Sequence, residues 1–202
     1  HDFPYQYLAA DTWRQKFYKP FLNFVHRRSL EWTDRIVAIS EYTKREDVKL
    51  FGADEQKITV IYNGYRNVGA VQPAELGLKK PYFVTVGAVK ERQNTLRIVE
   101  AFAKFKTKQK AEHRLMIVGK KGNAYSTRVE QNIERHGLRD EVVFFGHAND
   151  AQLSYLYRNA TALVFPSLIE SFGFPVLEAM SAGLPVITSK YGGVAEVTGE
   201  AA

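Results

Sequence analysis

Two glutamates, Glu170 and Glu178, lie eight positions apart around the glycine-containing turn of ESFGFPVLE. A carboxylate has two acceptor oxygens, so each glutamate could accept hydrogen bonds from a pair of hydroxyl groups such as a sugar diol. Taken singly, each is more often structural, because a helix dipole favours glutamate in a first turn and a loop glutamate is usually solvated. Their chemistry therefore depends on the elements that position them.

The residues after the turn predict one short helix of about residues 175–182, with Glu178 in its first turn. Pro175 suits the first helical position because its missing N–H group is not needed there, and Gly183 suits the residue after the end. The exposed N–H groups of such a first turn attract an anion, which fits a phosphate or pyrophosphate. A nucleotide sugar contains a ribose diol, a pyrophosphate and a sugar. These three parts could bind at Glu178, at the turn and near Glu170.

From Lys80 onward, short apolar runs alternate with amphipathic stretches, which is the pattern of βα units with a parallel sheet. The predicted strands are residues 82–87, 114–119, 142–146, 162–166 and 185–188. Three of them end in a glycine, where the backbone can turn sharply and a ligand can come close: Gly87, Gly119 and Gly146. Ligands of open α/β sheets bind at the carboxyl ends of the strands, so the loops after these strands should share one rim.

Residues 1–79 have a different pattern. The aromatic and basic stretch 13–32 predicts helix on either side of Pro20, and strands are predicted at 35–40 and 57–64, with Ser40 as the N-cap of a helix between them. The polar stretch 65–80 reads as a linker. We therefore predict the end of an amino-terminal domain at 1–64, a linker at 65–80 and a ligand-binding domain at 81–202.

Composition limits the function classes. The chain has 202 residues and 45% hydrophobic residues, enough for one large domain or one domain with part of another. No apolar run of about 18 residues and no leader is visible, which favours a cytoplasmic protein. The absence of cysteine excludes disulfides, thiolate metal sites and cysteine nucleophiles. The net charge of +6 favours anionic partners, and the start at His1 suggests a fragment of a longer chain.

The spacing of Glu170 and Glu178 around SFGFPVL resembles the E-x₇-E motif of retaining GT-B glycosyltransferases of family 4, the glycosyl transferases group 1 family. YFVTVGAVKERQN is similar to the glycine loop of that family, FFGHANDAQLSYLYRNATALVFPS to its base-binding loop, and PVITSKYGGVAEVTGEAA to the stretch after the motif. Upstream, HDFP, DRIVAISEYTK and VIYNGY resemble the crossing between the two domains. The resemblance implies an α/β fold: a Rossmann-like parallel sheet flanked by helices, the carboxyl-terminal half of GT-B without its closing helices, plus a remnant of the amino-terminal domain.

The resemblance also implies roles for residues. Three would be catalytic: Glu170 at the donor sugar, Arg92 at the leaving diphosphate, and His1 facing the sugar from the opposite domain. The implied donor-binding residues, which lie in three loops and the short helix, are Gly87, Gln93, Asn94, Gly146, His147, Ser171, Phe172, Gly173 and Glu178. Glu178 would bind the ribose, the backbone at Gly146 and His147 would meet the base, and Gly87 would leave room for the diphosphate.

One departure from the family pattern concerns charge. The family commonly has basic residues where this chain has Ala88 and Gln93, so one or two charges directed at the phosphates are missing. Lys90, Lys120 and Lys121 could replace part of that charge, although surface lysines are usually only solvated. We therefore expect this chain to bind a donor better than it transfers sugar.

The function that the resemblance implies is retaining transfer of a hexose from a nucleoside-diphosphate sugar to a saccharide or lipid-linked acceptor, as in polysaccharide biosynthesis. Mannose is the first guess, because VGAVKERQN resembles a subgroup with many GDP-mannose enzymes. No cofactor and no metal are expected, since the five histidines are scattered and no Asp-x-Asp occurs.

Two other classes stay open. Ala88 and Gln93 favour a non-catalytic module that binds nucleotide sugars. The basic aromatic stretch 13–28 and the pI of 9.4 favour a protein that binds nucleic acid or another anionic surface such as a membrane, although a packed helix with a solvated basic side has the same pattern. Nucleic acid is not expected as a partner, whereas peripheral contact at the inner face of the membrane is compatible with the enzyme.

Overall fold

The computed structural model describes residues 4–7, 13–79 and 81–201. His1 lies outside the described residues, so its role stays a prediction. The described chain forms two compact units. The smaller unit contains the described residues up to Gly64 together with Ile169–Gly173 and Lys190–Val197, and the larger unit contains the rest.

The smaller unit begins with helices α1 (Pro4–Tyr7) and α2 (Trp13–Trp32). Strands β1 (Ile36–Ala38) and β2 (Ile58–Val60) pair in parallel, and α3 (Glu41–Phe51) connects them. Ser40 caps α3 as predicted, because its side chain accepts a hydrogen bond from the Thr43 N–H group at 3.1 Å.

Helix α2 is continuous through Pro20, where the sequence predicted helix on either side of the proline. No helix in the described part of the chain combines the length and the apolar content needed to cross a membrane. Contacts of α2 with the rest of the smaller unit include the side chain of His26, which lies 3.0 Å from Asp47 Oδ1 on α3.

The larger unit is built on a five-stranded parallel sheet, and its predicted strands are confirmed to within two residues. The strands are β3 (Tyr82–Val86), β4 (Arg114–Val118), β5 (Val142–Gly146), β6 (Leu163–Phe165) and β7 (Val186–Thr188). Their order is β5-β4-β3-β6-β7, so the chain runs outward from β3 in one direction and then, from β6, in the other. The point between β3 and β6 is where such a sheet opens a crevice for a ligand.

Four helices belong to the larger unit: α4 (Thr95–Gln109), α5 (Ala124–Arg135), α6 (Asp150–Asn159) and α7 (Phe174–Ser181). Their apolar faces cover strands that are apolar on both sides, as parallel strands require. Ile98, Val99 and Phe102 of α4, for example, are buried in one cluster with Leu115 and Ile117 of β4. The sheet is therefore covered by helices predicted from the apolar periodicity of the sequence.

The chain enters the larger unit at Tyr65, the first residue of the predicted linker. Residues of the predicted linker pack in this unit: Val68, in a 3₁₀ turn at Val68–Ala70, is fully buried. Gly69 lies so close to α7 that a Cβ atom would be 2.2 Å from the Ser181 carbonyl oxygen. A short helix that the sequence patterns did not indicate, α8 (Gly193–Thr198), has its first five residues in the smaller unit.

Candidate functional site

The three strand-ending glycines meet at the carboxyl edge of the sheet. Gly87 donates its N–H group to the Val118 carbonyl at 2.8 Å, and Gly119 donates to the Gly146 carbonyl at 2.7 Å. A Cβ atom on Gly119 would be 2.0 Å from the Gly87 carbonyl oxygen, and the φ angles of Gly87 and Gly119 are +142° and +146°. Only glycine combines such dihedrals with such a close approach, so backbone rather than side chains forms this part of the rim.

The loops after β3 and β6 are connected at the point where the strand order reverses. Asn94 Nδ2 donates to the Pro166 carbonyl at 3.2 Å, and the Leu168 N–H group donates to the Arg92 carbonyl at 2.8 Å. Hydrogen bonds between the two loops therefore fix Arg92 and Asn94 at the predicted crevice.

Gln93 is buried between Arg92 and the glycine loop. Its carboxamide is assigned the orientation in which Nε2 donates to the Ala88 carbonyl at 3.0 Å and Oε1 accepts from Arg92 Nε at 2.9 Å. Bonding at Nε constrains the plane of the guanidinium. The structure therefore gives Gln93 a role in orienting Arg92, in addition to the donor binding expected from the sequence.

Glu178 is 4% exposed, and its carboxylate is held by two side chains of the larger unit. Its Oε1 atom accepts hydrogen bonds from Arg66 Nη2 at 2.9 Å and from Arg66 Nε at 3.3 Å. Its Oε2 atom accepts from the Tyr157 hydroxyl at 3.3 Å. Burial, followed by the charge of Glu178, raises the pKa of Tyr157 well above its ordinary value. The phenol therefore stays protonated and acts as the hydrogen-bond donor to Glu178.

Arg66 also ion-pairs with Asp150, since its Nη1 atom lies 2.5 Å from Asp150 Oδ1. The hydrogen bond to Glu178 raises the pKa of Arg66, which therefore stays charged. Neither Arg66 nor Tyr157 was predicted from the sequence as a site residue. Arg66 lies 112 positions before Glu178, and no spacing in the sequence connects the two.

Helix α7 begins at Phe174, one residue earlier than predicted, so Glu178 lies in its second turn rather than its first. The helix ends at Ser181, one residue before the predicted end, and Gly183 takes the predicted position after it. Gly183, at φ +72°, donates to the Met180 carbonyl at 3.0 Å, and Leu184 donates to the Ala179 carbonyl at 3.0 Å. These two bonds are the pattern of a Schellman motif, which fixes where the helix stops.

The loop that carries Glu170 belongs to the smaller unit, and two of its backbone carbonyl groups accept hydrogen bonds there. The Ser171 carbonyl accepts from Ser40 Oγ at 2.8 Å, and the Glu170 carbonyl accepts from the Gly193 N–H group at 2.7 Å. A Cβ atom on Gly193 would be 1.9 Å from the Ser171 carbonyl oxygen. Ser171 and Phe172 are buried, and Glu170 is half-buried.

Glu196 on α8 is a further residue that the sequence did not single out. Its two carboxylate oxygens accept from the N–H groups of Glu41 and Tyr42 at 2.8 and 2.9 Å, at the start of α3. A hydrogen bond from Tyr62 to Glu196 raises the pKa of that tyrosine. Acceptors at the first N–H groups stabilise a helix start, so Glu196 connects α8 to α3 within the smaller unit.

The predicted base-binding residues follow β5. Gly146 has φ +80°, His147 is exposed, and Asn149 caps α6 by accepting from the Gln152 N–H group at 2.9 Å. Lys121, one of the lysines that could replace the missing charge, pairs with Glu130 and lies 4.5 Å from the centre of the Phe144 ring. Its charge is therefore already engaged in the protein.

No three side chains of His, Cys, Asp or Glu converge on a metal position within the ranges that the structure describes. His113 has an aromatic partner instead, since its ring stacks on that of Phe83 with 4.9 Å between the ring centroids.

Sequence profiles of two families match the chain. The profile described as glycosyl transferases group 1 matches residues 71–202, and the profile described as glycosyltransferase family 4 matches residues 1–66. The O-antigen chain mannosyltransferase RfbU of Salmonella typhimurium is 32% identical over 190 residues, which are 94% of this chain and 50% of that protein. The chain spans about half the length of the curated relatives it matches.

Solved structures have the same fold. Sucrose-phosphate synthase from Thermosynechococcus elongatus superposes with a TM-score of 0.77 at 27% identity, covering 94% of this chain and 48% of that one. Anabaena HepE, solved in complex with UDP and glucose, superposes with a TM-score of 0.75 at 19% identity, covering 90% and 51%. The parallel sheet flanked by helices is thus similar to GT-B glycosyltransferase structures. With a profile that matches most of its length and a relative above 30% identity, the chain belongs to the glycosyl transferases group 1 family.

Proposed function

We propose that this chain is the donor-binding part of a retaining glycosyltransferase. The enzyme would transfer a hexose, with mannose as the first candidate, from a nucleoside diphosphate to a saccharide or lipid-linked acceptor. The observation that carries the proposal is the buried, charge-paired carboxylate of Glu178 in the same unit as the glycine rim of the sheet. A buried carboxylate with acceptor capacity suits a ribose diol, and a rim of backbone suits a diphosphate. The mannosyltransferase relative supports the choice of sugar.

The proposed chemistry needs positive charge where the diphosphate departs. The bond between the sugar C1 atom and the diphosphate oxygen breaks, the acceptor oxygen bonds to C1 on the same face, and the acceptor proton passes to the departing diphosphate. Arg92, oriented by Gln93, would stabilise the charge that develops on that leaving group. The proposal therefore needs no resident metal. Within it, Glu170 and His1 act at the donor sugar.

A peripheral membrane contact is a second candidate function, and it would accompany transfer to a lipid-linked acceptor. On α2, Tyr18, Phe21, Val25 and Trp32 follow one face at helical spacing, and all four are exposed. Arg27 and Arg28 lie on the same helix, and the whole chain has a net charge of +6. An exposed aromatic stripe beside basic residues suits the interface of an anionic bilayer, and salt-sensitive binding to phosphatidylserine vesicles would test it.

Calorimetric titration with GDP, UDP and ADP and with their sugar forms tests the main proposal. We expect saturable binding of one nucleotide, and Glu178→Ala should abolish it. Glu134→Ala is the matched control, because Glu134 is an exposed acid of the larger unit that pairs only with Arg139 among the ion pairs described. Absence of binding to any nucleotide by a folded sample, or equal binding by both variants, would contradict the proposal. Binding without turnover in a full-length enzyme would instead indicate a non-catalytic module.

A further inference from the structure

The guanidinium of Arg66 covers one oxygen of the Glu178 carboxylate, and the Tyr157 hydroxyl covers the other. We propose that Arg66 is a positioning residue, which keeps the Glu178 carboxylate ionised and oriented to receive the hydroxyls of the nucleotide ribose. This inference rests on the proposed function, since it assigns a task to a neighbour of the ribose-binding carboxylate.

Only 4% of Glu178 is exposed, and a carboxylate removed from water takes up a proton unless a positive charge or several donors stabilise its ionised form. The Arg66 side chain is 61% exposed, so its own charge stays largely solvated while it pairs with Glu178. Arg66 therefore provides the compensating charge at a small desolvation cost.

A carboxylate has roughly four acceptor positions, and Arg66 uses two of them on Oε1 while Tyr157 uses one on Oε2. One position on Oε2 is thus left among the contacts described, and the 3.3 Å bond from Arg66 Nε is long enough to exchange for a hydroxyl donor. An ionised Glu178 can accept from a ribose diol without losing its ion pair to Arg66 Nη2.

Other charged groups lie near Glu178 and Arg66. Asp150 and Tyr157 lie on α6, and Asp150 holds the far side of Arg66 at 2.5 Å. Arg158 of the same helix donates to the Gly69 carbonyl. The 3₁₀ turn Val68–Ala70 and the strands β6 and β7, which also pack on α7, consist of residues that do not titrate. Arg66 is therefore the cation, among the described residues, whose bond to Glu178 decides whether that carboxylate stays charged.

The inference makes affinity depend on pH when Arg66 is removed. In Arg66→Met, the Glu178 carboxylate should be protonated more readily than in the unaltered chain, because it loses its only ion-pair partner described in the structure. A protonated carboxyl accepts hydrogen bonds more weakly, so the variant should bind nucleotide less well as the pH falls. If Arg66 only filled space or only blocked the diol, Arg66→Met would change the nucleotide affinity by the same factor at every pH.

The test measures dissociation constants from pH 6 to pH 8 for the tightest binder among GDP, UDP and ADP, and for its 2′,3′-dideoxy form. Dividing the constant of each variant by that of the unaltered chain at the same pH removes the contribution of ligand ionisation. For Arg66→Met we expect this ratio to be higher at pH 6 than at pH 8. Preference for the ribose over the dideoxy form should fall at pH 6 and persist at pH 8.

Two further variants sharpen the test. Arg66→Lys retains a cation and should restore most of the pH independence, and it also serves if Arg66→Met fails to fold. Arg139→Met removes an exposed arginine paired with Glu134, and its ratio should stay near one at every pH.

The outcomes separate the inference from the proposed function. A ratio for Arg66→Met that does not change with pH, or tighter binding by that variant, would overturn the inference while leaving a donor site that needs Glu178. Failure of the unaltered chain to bind any nucleoside diphosphate would overturn both.

Discussion

Glu178 shows how a single side chain acquires its chemistry from residues far away in the chain. Its carboxylate would be an ordinary helix glutamate without Arg66 and Tyr157, and neither partner is a neighbour in sequence. The bond from Tyr157 is the part of this arrangement that can be removed with the smallest change of shape.

Tyr157→Phe should weaken nucleotide binding, because the Oε2 atom of Glu178 loses its donor. A net hydrogen bond is worth about 1 kcal/mol, which corresponds to about a fivefold loss of affinity. Tyr82→Phe is the matched control, since its hydroxyl is equally buried but donates to the Leu156 carbonyl at 3.1 Å. Both variants should lower the free energy of unfolding in urea, and only Tyr157→Phe should lower affinity. Equal affinities of the two variants would show that Tyr157 does not act on Glu178.

Gly119 tests the close backbone approach at the rim. Gly119→Ala should strongly destabilise the larger unit, because the new Cβ would be 2.0 Å from the Gly87 carbonyl oxygen at a φ of +146°. Gly122→Ala has a similar φ of +122° with open space around the new methyl group, so it pays only the dihedral strain of about 1–3 kcal/mol. The urea unfolding midpoint should therefore fall much further for Gly119→Ala than for Gly122→Ala. Similar midpoints would mean that the backbone segments at Gly87 and Gly119 can move apart to accommodate the methyl group.

At the scale of elements, two helices begin with the same capping box but differ in one contact. Asn123 caps α5 and Asn149 caps α6, and each accepts from an N–H group three residues later. Asn123 also donates from Nδ2 to the Val89 carbonyl, at 2.9 Å, in the loop after β3. The start of α5 therefore holds the glycine loop in place.

Asn123→Ala and Asn149→Ala should each cost about 1 kcal/mol of unfolding free energy, as the loss of an N-cap does. Only Asn123→Ala should also reduce affinity for the nucleoside diphosphate, because it releases the loop that carries Gly87 and Arg92. Calorimetry and urea unfolding on the same two samples would measure this. An affinity loss shared by both variants would indicate a general effect of helix fraying.

The elements of the larger unit could be predicted because the strands are short apolar runs, three of which end in a glycine, and each long helix has one apolar stripe. Helix α7 was placed to within one residue, since Pro175 and Gly183 mark its limits. Helix α8 could not be predicted, because its six residues begin with glycine and are too short for a periodic signal. Pro20 did not interrupt α2, where the pattern suggested helix on both sides.

The candidate site was only partly predictable for a different reason. Glu170, Glu178, Arg92 and the glycine loops could be chosen because local spacing and family resemblance mark them. The contacts of Glu178 with Arg66 and of Ser171 with Ser40 arise from packing between distant segments. Side chains that act through packing leave no spacing in the sequence.

At the scale of the whole molecule, the motif that joins Glu170 to Glu178 crosses the division between the two units. Residues Ile169–Gly173 group with the smaller unit, and the helix that begins at Phe174 belongs to the larger one. The chain covers half of its mannosyltransferase relative. We therefore expect donor binding to be measurable in this chain as it stands, and sugar transfer to be slow.

The most direct test of the donor site is a map of backbone amide shifts in the ¹⁵N-labelled chain as the best-binding nucleoside diphosphate is added. The structure and the proposed function predict changes that saturate together at Gly87, Gly146 and His147 and around Glu178, with the distant turn at Gly137 unmoved. Saturable shifts confined to residues 13–32 of α2, with the glycine rim unchanged, would contradict the assignment and indicate that the nucleotide binds only to a basic surface.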